Sequence, residues 1–104
     1  MYLESEKEFG NIEYKWKLIF KNHDHYQKKI TQLQYRIHEG DGEMIYYIGV
    51  KDNGFIEGIN YEELQISLKN LQELTNYLKY KIIKTDTFFT NHKTWWSKTL
   101  IHKN

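Results

Sequence analysis

Polar and apolar positions alternate cleanly from Ile12 to Phe20. Ile12, Tyr14, Trp16, Leu18 and Phe20 fall on one side, and Glu13, Lys15, Lys17 and Lys21 on the other. A period of two over this length predicts a half-buried strand with the apolar side on the core. From Tyr26 the period changes. Tyr26, Ile30, Leu33 and Ile37 draw one apolar stripe at helical spacing. Asp24 followed by Gln27 fits a capping box at its start, and Gly40-Asp41-Gly42 stops it. Met44–Val50 is apolar on both faces, as a central strand would be. Asp52-Asn53-Gly54 separates it from Phe55–Ile59, and Asn-Gly predicts a type I′ hairpin joining two strands. Asn60 and Glu63 make a second capping box, ahead of a stripe of Leu64, Leu68, Leu71, Leu74 and Leu78. Ile82–Phe89 and Trp95–His102 read as strands about a turn at Asn91-His92-Lys93.

This order predicts an α+β fold. It is a ferredoxin-like βαββαβ two-layer sandwich with an extra C-terminal strand and two helices on one face of an antiparallel sheet. Lys15, Lys17 and Lys21 then lie on the face away from the helices. Residues 1–10 show no sustained period and read as a mobile arm, leaving 11–104 as a single domain.

Composition narrows the function classes. The chain has 104 residues, 39% hydrophobic and 16% aromatic, enough for one core. No apolar run approaches the roughly 20 residues that span a bilayer, and no signal peptide opens the chain, so the expected address is the cytoplasm, away from membranes. The absence of Cys excludes disulfides and thiolate metal sites. Ala and Pro are absent, and Arg36 is the only arginine, a bias expected of an AT-rich genome. The net charge of +1 hides segregation. Residues 14–38 carry six cations against one Asp, and 74–104 carry six Lys against one Asp. If these segments meet they make a basic face; otherwise they form an ordinary solvated surface.

Catalytic equipment is not visible. There is no phosphate-loop or dinucleotide-binding glycine motif and no nucleophile elbow. His23 and His25 flank Asp24 and could share a metal, but a further ligand would have to come from elsewhere, and capping explains them better. Glu39, Asp41 and Glu43 sit among glycines, as an exposed turn would place them. No cofactor or metal is expected, and the chain reads as a non-enzyme. Trp95-Trp96 between Lys93 and Lys98 offers rings for stacking and cations for phosphates. Adjacent strand residues face opposite ways, so one Trp belongs to the core. Lys15, Lys17, Lys21, Lys93, Trp95, Trp96 and Lys98 are therefore the candidate RNA or partner contacts.

Several segments carry a resemblance. They are Gly10–Leu18, Leu33–Glu43 with its Glu-Gly-x-Gly-Glu turn, Tyr47–Gly54, Gly58-Ile59, Glu62-Glu63-Leu64, Ser67–Leu71 and Thr99–Lys103. Together they resemble the N-terminal domain of the GTP-binding-protein-1/2 family, elongation-factor-like translational GTPases. A run like Ile48-Gly49-Val50-x-Asp52-x-Gly54 also occurs in the AlbA-like domains of Schlafen-type proteins. The family's GTPase domain, with its phosphate loop, has no counterpart in these residues. The resemblance implies a non-catalytic accessory or interaction domain that contacts RNA, the ribosome, or a GTPase domain of the same or another chain. The alternative is a protein–protein or homodimerisation module unrelated to translation.

Overall fold

The computed structural model describes all 104 residues. Six elements follow in order: β1 (Ile12–Lys15), α1 (His23–Glu39), β2 (Glu43–Ile48), α2 (Tyr61–Leu78), β3 (Lys81–Phe89) and β4 (Trp95–His102). The strands form one sheet in the order β1-β2-β4-β3. β1 runs parallel to β2, and the other neighbours are antiparallel. A parallel pair needs a crossover, which α1 supplies. The α+β two-layer reading therefore holds, with one parallel pair in a sheet expected to be antiparallel throughout.

Both helices cover the same face. Ile30, Leu33 and Ile37 of α1 meet Leu64, Leu71 and Leu74 of α2 over Met44, Tyr46 and Ile48 of β2 and Ile101 of β4. Each such leucine, sealed from water, contributes about 1.5–3 kcal/mol by burial. α2 starts on the expected capping box: Glu63 N–H donates to Asn60 Oδ1 at 2.8 Å, and Asn60 N–H donates to Glu63 Oε1 at 3.2 Å. α1 starts earlier than its sequence signal. Its cap is Asn22, whose Oδ1 accepts from His25 N–H at 2.8 Å.

The expected hairpin at Asn53-Gly54 forms only as a turn. Lys51 N–H reaches Phe55 O at 2.9 Å, and Gly54 alone in the turn has a positive φ. Type I′ needs two such residues, so this is a three-residue loop with a left-handed last position. Beyond it, Val50 and Ile56 make a single bridge, and 55–59 never becomes a strand. The chain bends at Gly49, with φ of 89°. A side chain there would strike Trp96 Cβ at 2.8 Å and the Trp95 carbonyl oxygen at 2.9 Å. The element order is thus β-α-β-α-β-β.

β1 departs furthest from its pattern. It ends at Lys15 instead of Phe20, because the next residues leave the sheet for α2. Leu18 N–H donates to Ser67 Oγ at 3.1 Å, and Leu18 O accepts from Asn70 Nδ2 at 2.8 Å. Its two faces are also exchanged. Tyr14 stands beside Tyr47, on the side away from the helices, while Glu13 stands beside core residue Tyr46. Lys15 shares the Glu13 side, 3.1 Å from that carboxylate, and not the open face.

Arg36 explains the exchange. It lies in the last turn of α1 and is only 5% exposed. Its Nε donates to Glu13 Oε1 at 2.9 Å, Nη1 to the carbonyls of Phe9 and Gly10 at 3.0 Å each, and Nη2 to Lys7 O at 2.8 Å. A buried guanidinium needs such matching, and Glu13 supplies the countercharge from the helix side of β1. The same bonds gather residues 7–10. Residues 1–6 run beside the 52–56 turn: Leu3 N–H meets Gly54 O at 2.8 Å, Glu6 N–H meets Asp52 O at 2.7 Å, and Ile56 N–H meets Met1 O at 3.0 Å. Tyr14 N–H, on the outer edge of β1, donates to Glu6 Oε2. Burial, reinforced by the Glu13 carboxylate, pushes the Glu6 carboxyl up from 4.5 to about 7.

Two outcomes follow from this cluster. Arg36→Met should cost about 3–5 kcal/mol in urea unfolding, because buried Glu13 loses its guanidinium partner and keeps only Lys15, and combining it with Glu13→Leu should recover part of that loss. In the single variant the amides of Leu3 and Glu6 should exchange faster with solvent, which tests directly how firmly the arm is held. The second outcome concerns pH. Folded Glu6 keeps its proton up to about 7, whereas unfolded Glu6 loses it near 4.5. Between those values the folded state binds more protons, so this group makes stability fall as pH rises. Glu6→Gln should flatten that fall, read as urea midpoints at the two ends of the window; an equal fall in both proteins would count against it.

Candidate nucleic-acid interface

The sheet face away from the helices carries a row of aromatic rings, one from each strand. Tyr14 meets Tyr47 edge-on at 5.4 Å. Tyr47 stacks on Trp96 at 6.3 Å, and Trp96 on Phe88 at 4.4 Å with planes 29° apart. Strand alternation and register bring them together. Phe88 lies opposite Trp96, and Tyr47 lies opposite Lys98. Leu3, Val50 and Ile56 pack against the Tyr14 end. The row opens towards Phe88, which is 38% exposed.

Beside the rings lies a cleft of about 260 Å³, lined by Ile45, Lys84, Asp86, Lys98 and Leu100. Lys98 stands opposite Asp86, and Asp86 Oδ1 is 3.6 Å from Lys84 Nζ. Two cations against one carboxylate leave the cleft mildly positive. Burial raises the Tyr14 and Tyr47 hydroxyls above their ordinary value of 10.0, so the rings are neutral at physiological pH. Tyr14 Oη also donates to Glu4 O at 2.7 Å. Flat neutral rings with lysines beside them can stack bases and pair with phosphates.

The seven sequence candidates divide. Trp96 and Lys98 are on this face, and Lys93 lies in the loop joining β3 to β4. Trp95 points the other way and packs on the main core, with Phe89 at 5.0 Å and Tyr61 at 5.7 Å. Lys15 is paired with Glu13 under the helix layer. Lys17 pairs with Glu63 and lies 4.4 Å from the Trp16 ring centre, with Lys51 3.9 Å from the same ring. Lys21 is exposed before α1, where its N–H donates to His25 Nδ1 at 3.2 Å. The three lysines expected to line the open face are therefore elsewhere.

Sequence reasoning missed Tyr14, Tyr47 and Phe88. Phe88 had a signal. Phe88-Phe89 and Trp95-Trp96 flank residues 90–94 symmetrically, which pairs Phe88 with Trp96 in a hairpin. Tyr14 and Tyr47 needed the true register of β1.

Over 73 residues, 70% of its length, the chain is 45% identical to GTP-binding protein 2 of mouse, and equally to that of human. This chain is a relative of GTP-binding protein 2. The family resemblance drawn from segments across residues 10–103 is borne out. The matched segment spans 12% of the length of GTP-binding protein 2. No family model matches the chain, and no solved structure does. No helix is long and apolar enough to cross a membrane.

Proposed function

We propose that the chain is a non-catalytic interaction domain of a protein related to GTP-binding protein 2, and that it contacts single-stranded RNA through its open sheet face. The carrying observation is the stacked row Tyr47–Trp96–Phe88 with Lys98 and Lys84 beside it. The rings supply stacking that tolerates any base, and the lysines supply phosphate pairing. Asp86 trims the charge, so binding is weak and salt-sensitive. The relatives' name, GTP-binding protein 2, supports a setting beside a GTP-binding domain of the same or another chain; ribosome-associated work in the cytoplasm is what the family resemblance adds to this reading.

The experiment is titration of a short single-stranded RNA at low salt, read by anisotropy and by Trp fluorescence. Trp96→Ala should weaken binding roughly ten-fold, in line with the loss of one stacked base. Lys98→Glu should weaken it and flatten a salt slope that starts near about −2, as about three lysines would give. Lys17→Glu, beside Glu63 at the start of α2 and off this face, should change little. No binding at low salt, or an equal loss in Lys17→Glu, would rule this reading out.

A further inference from the structure

The two edges of the sheet are finished differently. At β1 the outward N–H of Tyr14 is taken by Glu6, and the N-terminal arm lies alongside. At the other edge β3 pairs with β4 alone. It is nine residues long, and a bulge between Ile82 and Lys84 leaves Lys84–Phe89 as its regular part. An edge of this length presents a row of unpaired backbone donors and acceptors, a template for another strand. Ile83 and Phe89 are 44% and 58% exposed along it.

The side chains of β3 are complementary to themselves. In a two-fold antiparallel pairing that continues both faces of the sheet, opposed residues must lie on the same face. Centring on Thr85 sets Lys84 against Asp86 of the second copy, and does so twice. The bulge turns Ile82 to the helix face beside Ile101, so the match is carried by Lys84 and Asp86 alone. Centring on Asp86 sets two carboxylates face to face, which like-charge repulsion disfavours. One register is therefore favoured by charge. The existing contacts of Asp86 lie within the chain, to Lys84 at 3.6 Å and opposite Lys98 on β4, and they leave its outer side free for a second lysine.

We propose that β3 is a self-association edge: β3 of one chain pairs antiparallel with β3 of a second copy, Lys84 of each against Asp86 of the other, giving a continuous eight-stranded sheet. This occupant is specific, because the edge carries its own countercharges at the spacing that two-fold pairing requires. The open faces of the two copies then join, with Lys84 and Asp86 of both around the two-fold axis and each Phe88 about 10 Å along the strand from it. The inference stands whether or not the face binds RNA.

The test is sedimentation of the chain without RNA from about 10 to about 500 μM, the range suited to a small interface. The chain should pass from monomer to dimer with concentration. Lys84→Asp and Asp86→Lys should each stay monomeric, since each sets like charges together. Mixing the two variants should restore a dimer, and so should the double exchange in one chain. Hydrogen exchange of the unmodified chain needs no variant: β3 amides should gain protection as concentration rises. A monomer throughout, single variants that dimerise like the parent, or β3 exchange independent of concentration would each overturn the proposal.

Discussion

A guanidinium inside a protein has to be matched donor for donor, and that requirement shapes this fold. Arg36 takes one carboxylate from β1 and three carbonyls from residues 7–10. A lysine ammonium could not do this, having no planar fork to spread over four acceptors. The only arginine in a chain with fourteen lysines stands at this one place. Its bonds tie the end of α1 to the first strand and to the approach to it. They also bring Glu6 close to the Glu13 carboxylate, which adds to burial in raising the proton affinity of Glu6.

The helices were legible because each is a stripe of Ile and Leu with polar residues elsewhere, and such stripes have one way to be buried. β3 and β4 were legible for a similar reason, with β-branched and aromatic residues bounded by turn residues. β1 was not. A pattern reading sends charged residues outward, and Glu13 goes inward because a buried cation waits for it. The stretch Trp16–Phe20 kept the alternation of a strand yet passes beneath α2, held by Ser67 and Asn70. The second hairpin arm failed for backbone reasons. Gly49 and Gly58 both sit at positive φ, a bend that extended strands do not hold.

The open face was half legible. Trp96 and Lys98 were in view because aromatic and basic residues sit side by side in the sequence. Tyr47 looked like a core residue in an apolar run, and Tyr14 was assigned to the wrong side with the rest of β1. A surface assembled from all four strands depends on register, and register is settled by long-range contacts that local spacing does not contain. Lys15 and Lys17 show the reverse error, since a lysine near a carboxylate in space is already partnered.

The strand order has a consequence for how the chain is made. β4 is last in sequence and sits between β2 and β3. During synthesis from the N-terminus, β2 has no neighbour on that side until residues 95–102 emerge. The two helices can meet over β2 before then, but the sheet beneath them is only β1 and β2. A ribosome that stops in the β3–β4 loop releases a chain with its helical layer written in full and its central strand missing. The fold therefore closes from its final segment, and long-range pairing of this kind is the slow class of contact.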